Sequence, residues 1–191
     1  MGIGGIVLAA GRSERMGAAK PLLEVDGRTF VEAATGALRE GGCDRVVVVI
    51  ADRAVEAAVR ATGAAVALVP TDGEQIDSLR AGLAALSGDV GAAVVLPVDH
   101  PLVTGATVRS LIAAHREHPD AVTRPTHGGR PGHPTLFPAA VWPRLMEVDL
   151  EQGARGVLAA DDVEVVDVPV PDEGVLADID TPEQYDRWIG S

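Results

Sequence analysis

Aromatic residues make up only 3% of this 191-residue chain. Its core must therefore be built from Val, Leu, Ile and Ala. A single cysteine, Cys43, excludes an internal disulfide framework and a cysteine-based zinc site. Cys43 follows Gly41-Gly42 at an expected helix end and reads as a small semi-buried residue, since nothing beside it marks an activated thiol. No apolar run reaches the length needed to span a bilayer. No basic segment precedes an apolar stretch at the N-terminus, so a secretory signal is not expected and the cytoplasm is the expected compartment. Basic residues are also scarce, with 16 Lys and Arg against 28 Asp and Glu and a formal net charge of −12. That argues against wrapping nucleic acid, which needs a basic surface. An anionic small molecule remains compatible where a local cluster opposes the global field. Lysine is scarcest of all: Lys20 stands alone, and every other basic residue is an arginine.

Against these absences stands a regular alternation of strand and helix patterns. Residues 3–9 form a β-rich run. Residues 29–39 have helical spacing, with Phe30, Val31, Ala34 and Leu38 on one side and Gly41-Gly42 as a cap. Residues 45–50 are an unbroken β-branched run, the pattern of a strand buried on both faces. A helix over 52–61, a strand over 66–69, a helix over 77–86 and a strand over 92–98 follow. Thr104 caps a helix to about His115. This order predicts an α/β fold, three-layered and doubly wound around a mostly parallel sheet. The second half is less regular. Strands are expected over 121–125 and 163–168, the latter at an edge, and helices over 138–146 and 151–159. Residues 126–134 are turn-rich. Asp180-Thr181-Pro182-Glu183 reads as a helix start. No linker or repeat interrupts the chain, so a single domain over 1–191 is expected.

In a parallel α/β sheet, ligands bind beyond the carboxyl ends of the strands. Three polar groups fall there: the loop after the first strand, residues 71–80, and Asp99. The loop runs Ala10-Gly11-Arg12-Ser13-Glu14-Arg15-Met16-Gly17-Ala18-Ala19-Lys20. Small residues let a backbone approach a ligand closely, and successive N–H groups form an anion-binding concavity. Lys supplies a compact charge suited to phosphate. The spacing from Gly11 to Gly17 is one residue too long for the phosphate loop of ATPases, and Gly2, Gly4 and Gly5 precede the strand, so the dinucleotide turn is absent as well. Arg15 taken alone reads equally well as a surface ion pair with Glu14 or Glu24. Asp99, at a strand end and followed by Pro101, suits Mg²⁺, which prefers few carboxylates and keeps water and phosphate oxygens as its other ligands; a turn or cap role is the alternative. His115, His118 and His127 lack metal-ligand spacing, and Trp142 and Trp188 read as packing residues.

Leu8-Ala9-Ala10-Gly11-Arg12-Ser13-x-Arg15-Met16-Gly17-x-x-Lys20 resembles the opening motif of the MobA-like nucleotidyltransferases, closest to their molybdenum-cofactor cytidylyltransferase branch. The similarity continues through Asp77-Ser78-Leu79-Arg80-Ala81-Gly82-Leu83, Leu96-Pro97-Val98-Asp99-His100-Pro101, Gly128-Gly129-Arg130-x-Gly132-His133-Pro134 and Asp178-Ile179-Asp180-Thr181-Pro182-Glu183. The resemblance implies a nucleotide-diphospho-sugar-transferase-like fold. It implies a nucleoside triphosphate lying across Leu8, Ala9, Ala10, Gly11, Arg12 and Ser13, with Arg15 and Lys20 neutralising charge and Gly73 and Ser78 near base and ribose. Asp99 would hold Mg²⁺ with Asp178 or Asp180, both of which qualify, though Asp180 also suits a helix cap. His100 stands where Gln is frequent, and His133 lies in the Gly-His-Pro turn; both would meet the acceptor, with a backbone-bonded turn role the alternative for His133. Ala9-Ala10-Gly11 is similar to the branch that uses CTP rather than GTP, a methyl-sized difference worth about 1–3 kcal/mol. A phosphorylated acceptor, molybdopterin first, and a recipient molybdoenzyme are the implied partners. A sugar or alcohol phosphate acceptor, or a nicotinamide-dependent oxidoreductase reusing the same cradle, are the alternatives.

Overall fold

In a computed structural model, the structure describes residues 1–11, 18–71, 73–86, 88, 90–147 and 153–190. In chain order the elements are β1 (Gly2–Leu8), β2 (Glu24–Val25), β3 (Arg28–Thr29), α1 (Phe30–Gly41), β4 (Arg45–Ile50), α2 (Glu56–Ala61), β5 (Ala65–Leu68), α3 (Gln75–Ala85) and β6 (Val90–Pro97). There follow α4 (Gly105–Glu117), β7 (Val122–His127), β8 (Arg130–Pro131), β9 (Thr135–Pro138), α5 (Trp142–Glu147), α6 (Ala154–Leu158), β10 (Val165–Pro169) and α7 (Pro182–Trp188). Eight strands form one sheet in the order β10-β7-β9-β6-β1-β4-β5, with β8 paired to β7. The strands β1, β4, β5 and β6 are parallel, β10 is parallel to β7, and β9 runs antiparallel to both its neighbours.

Strand period explains the three layers. Along β4, Val46, Val48 and Ile50 enter one core while Val47 and Val49 enter the other. Along β6, Ala92, Val94 and Leu96 alternate with Ala93 and Val95 in the same way. One core is closed by α1, α2 and α4, the other by α3, α5 and α6. A sheet buried on both faces carries the near-continuous apolar runs read from the sequence. The first helix begins and ends on its expected signals: Thr29 and Glu32 form a capping box, and Gly42 closes α1 in the left-handed region at φ 106°. Asp52 caps a short 3₁₀ turn that leads into α2. Cys43 is buried, and burial, with Asp44 adding, pushes its thiol up to about 12.

The turn-rich stretch holds more order than its composition suggests. His127 and Arg130 close a tight hairpin over Gly128 and Gly129, both at positive φ. The strand β9 is short and ends at Pro138, and it carries no readable period. Among the described residues, no helix is long and apolar enough to cross a membrane.

Candidate active site

Consecutive strands run from β1 outward through β4 to β5, and the chain then returns to the other side of β1 as β6. This reversal leaves a crevice beyond the carboxyl ends of β1 and β6, where α/β sheets bind ligands. The two strand exits are tied together, since Val98 donates its backbone N–H to Leu8 at 3.0 Å. Asp99 and His100 follow immediately.

The C-terminal carboxylates reach this point through one backbone bond. The Ile179 N–H donates to the Asp99 carbonyl at 2.9 Å, so Asp178 and Asp180 flank Asp99 although they are distant in sequence. Asp180 accepts from Lys20, whose ammonium also lies 3.6 Å from Asp99 Oδ2. The other Asp99 oxygen, Oδ1, is 4.0 Å from His100 Nε2. Asp99, His100 and Asp178 each offer a ligand atom, and these atoms lie within 4.8 Å of one another. Helix α7 is capped by Thr181, which accepts from Gln184, while the Asp180 N–H donates to Gln184 Oε1 at 2.8 Å.

The electrostatics suit a cation. Burial raises the Asp99 carboxyl above its ordinary range, opposed by the nearby Lys20 ammonium. The carboxylates of Asp99 and Asp180 lie against the Lys20 ammonium, and Asp178 stands beside Asp99. Among the described residues, four buried side-chain nitrogen or oxygen atoms have no hydrogen-bond partner, and three of them are Asp99 Oδ1, His100 Nδ1 and His133 Nδ1. Buried polar atoms are ordinarily satisfied, so such a concentration marks a place built for something else to bind. The chemistry of Asp99, His100 and Asp178 therefore fits a divalent cation.

His100 and His133 pack ring against ring, centroids 4.7 Å apart and planes tilted by 57°. Burial lowers His100 to about 4, with the Gly174 backbone opposing; burial, then the charges of His100 and Arg155, lowers His133 to about 3. Both rings are neutral at neutral pH. The backbone N–H of His133 donates to the Val175 carbonyl at 2.9 Å.

A cleft of about 720 Å³ opens beside this cluster. Leu8, Asp99, His100, His133 and Asp178, all candidates named from the sequence, line it. Its apolar wall of Ile76, Leu79, Phe137 and Leu158, and the cation Arg155, were not singled out from the sequence. The wall residues look like ordinary core positions in sequence, and Arg155 sits in a short helix without a motif. Ala9, Ala10 and Gly11 line a second hollow of about 360 Å³, with Ala51, Asp52 and Thr71. Arg12, Ser13 and Arg15 lie outside the described residues. Gly73 lies in an exposed turn just before α3, its N–H bonded to the Pro70 carbonyl. Ser78 is buried in α3 and lines neither hollow. Arg80 donates to the Leu145 carbonyl at 2.9 Å and lies 3.5 Å from Asp77.

Residues 5–179 match the sequence model of the MobA-like NTP transferase domain. Among curated proteins, nicotine blue oxidoreductase of Paenarthrobacter nicotinovorans is 31% identical, the match covering 97% of this chain and 95% of that protein. Molybdenum cofactor guanylyltransferase of Xanthomonas euvesicatoria pv. vesicatoria is 38% identical over 57% of this chain and 53% of its own length. Among solved structures, Rv0371c of Mycobacterium tuberculosis H37Rv superposes with a TM-score of 0.86 at 30% identity, each chain covered in full. A structure of Rv0371c in complex with manganese superposes with a TM-score of 0.82 at 27% identity, again with both chains covered in full.

Proposed function

This chain belongs to the MobA-like NTP transferase family, and on that premise we propose that it is a Mg²⁺-dependent cytidylyltransferase acting on a phosphorylated acceptor, molybdopterin first. A phosphate oxygen of the acceptor forms a bond to the α-phosphorus of CTP, the bond to the β-phosphate breaks, and pyrophosphate leaves. Such a transfer needs positioning and charge stabilisation rather than a covalent intermediate. The observation that carries the reading is the meeting of Lys20, Asp99, Asp178 and Asp180 at the switch point of the sheet.

Each residue has a task on this reading. The backbone of Ala9, Ala10 and Gly11 lines the nucleotide hollow, with Leu8 at its border with the cleft. Arg12 and Ser13 belong to the loop that holds the triphosphate, Arg15 and Lys20 neutralise its charge, and Gly73 lies on the base and ribose side with Ser78 behind it in α3. Asp99 and Asp178 hold the cation, and Asp180 orients the Lys20 ammonium. A bound Mg²⁺ supplies neutralisation of the phosphate oxygens. His100 and His133, both neutral, meet the acceptor in the larger cleft. The methyl of Ala10 favours cytosine over a purine. The unit spans residues 1–191, works in the cytoplasm, and passes its product to a molybdoenzyme; a sugar or alcohol phosphate is the alternative acceptor. Rv0371c, crystallised with manganese, supports a divalent cation.

The similarity to nicotine blue oxidoreductase across nearly the whole chain favours a second reading, in which the same cradle holds NAD(P)H. Calorimetric titration with CTP, GTP, ATP and NADPH, each with and without Mg²⁺, separates the two. CTP binding that tightens with Mg²⁺ is the expected result. Binding of NADPH alone, indifferent to metal, would replace the transferase reading by the second one.

A further inference from the structure

We propose that Asp172 is the positioning residue of the larger cleft: its carboxylate clamps residues 172–179 to the start of α4 and so sets where the His100 and His133 rings stand. Its part in acceptor binding rests on the reading of that cleft as the acceptor site.

Both oxygens of this half-buried carboxylate are engaged. Oδ2 accepts from the Thr104 backbone N–H at 3.0 Å, from the Thr104 hydroxyl at 2.8 Å and from the Thr107 hydroxyl at 2.6 Å. Oδ1 accepts from the Gly174 N–H at 3.0 Å. All four donors are neutral, and a hydrogen bond to an ionised acceptor is roughly twice as strong as one between neutral groups. Helix α4 already has its own cap, since the Thr104 hydroxyl accepts from the Thr107 N–H. Asp172 therefore does more than cap a helix. It joins the exit of β6 to a segment 68 residues further along the chain.

The clamped segment meets that side of the cleft group by group. It begins as a 3₁₀ turn over Glu173–Leu176, with Asp172 as its cap. So short a turn has few bonds of its own, and its anchors decide where it lies. Gly174 packs so closely on the 100–104 loop that an added Cβ would stand 2.5 Å from the Leu102 carbonyl oxygen. The Gly174 backbone is hydrogen-bonded to the His100 ring. Val175 accepts from the His133 backbone N–H at 2.9 Å, and the Ile179 N–H closes the segment onto the Asp99 carbonyl. A shift at Gly174 is thus passed to both imidazoles, which pack on each other.

The test uses the full chain and separates the clamp from the cap. In Asp172→Asn the amide oxygen still takes the three donors from Thr104 and Thr107, but the NH₂ then meets the Gly174 N–H, donor against donor. Thr107→Val is the control: it removes one donor to Oδ2, loosens the start of α4 and leaves the Gly174 bond in place. Imidazole ¹H–¹⁵N spectra are recorded without ligand. The His100 and His133 signals should move in Asp172→Asn and stay in Thr107→Val. Signals that move in neither variant, or equally in both, would overturn the proposal. Should Asp172→Asn not fold, Asp172→Glu keeps the charge and displaces it by one methylene, and the same two signals decide. In CTP turnover with molybdopterin, Asp172→Asn should raise the acceptor KM about tenfold and leave the KM for CTP unchanged, the scale of one lost hydrogen bond to a charged group. An unchanged acceptor KM, or an equal rise for both substrates, would remove the acceptor role. Wild-type protein without turnover would sink the transferase reading instead, and the imidazole signals would still decide whether Asp172 positions the rings.

Discussion

The two halves of this chain bring residues to the same site by different means. In the first half, Leu8 and Asp99 arrive on the exits of β1 and β6, strands fixed on both faces by alternating apolar side chains. In the second half, His133, Asp178 and Asp180 arrive on irregular segments held by backbone contact. One N–H from Ile179 to Asp99 and one from His133 to Val175 hold much of that arrangement. The first kind of support is distributed over many side chains. The second is concentrated in a few close approaches, so single substitutions should act on it far more strongly.

The largest expected effect sits where the halves meet. Asp99→Asn keeps the shape of the side chain and removes its charge from a site in which it opposes Lys20 and faces the cation position. Pyrophosphate release should fall by about 10²–10³-fold, the loss typical of removing one preorganised electrostatic contact. Circular dichroism should be unchanged, because the Asp99 carbonyl, not its side chain, accepts the Ile179 N–H. Activity within threefold of wild type would remove Asp99 from the metal role.

The same contrast decides what the sequence discloses. The elements β1, β4, β6, α1 and α4 are visible because burial on one or both faces imposes a period and caps mark the ends. The loop from Ala10 to Lys20 and the acid Asp99 are visible because they follow such strands directly. The strand β9 is not visible: it is short, proline-ended and antiparallel, so no period develops. Nor is the choice between Asp178 and Asp180 visible. Both stand near Asp99: Asp180 accepts from Lys20 and acts electrostatically on Asp99 and His100, while Asp178 offers a ligand atom beside the same two residues. Arg155 and the apolar wall of the cleft are legible only in three dimensions, because their partners lie on other elements.

Two glycines sharpen the comparison. A Cβ on Gly132 would stand 2.3 Å from the Val175 carbonyl oxygen, a backbone atom that cannot swing aside. Gly132→Ala should therefore cost about 1–3 kcal/mol in urea unfolding and separate His133 from His100. In the first half, Gly36 lies inside α1, and its added Cβ would meet only an Arg28 nitrogen at 3.8 Å. Gly36→Ala should stabilise by about 0.5–1 kcal/mol through helix propensity. A neutral Gly132→Ala would show that the second half yields more easily than its contacts imply.

The smallest expected effect tests how firmly the first half closes over its core. Cys43 packs at the end of α1 among buried residues of the core on that face of the sheet. Burial holds its thiol up at about 12 against an ordinary 9.0. Because the folded pKa is the higher one, this contribution is fully present below pH 9 and is lost as pH rises toward 12. The unfolded chain releases its proton first, so the loss should reach about 0.4 kcal/mol at pH 9. Native protein should resist a thiol reagent at pH 8, and labelling should proceed only as fast as the core opens. Rapid labelling of native protein would mean that the end of α1 opens locally, and that the first half, too, depends on a few contacts near Gly42.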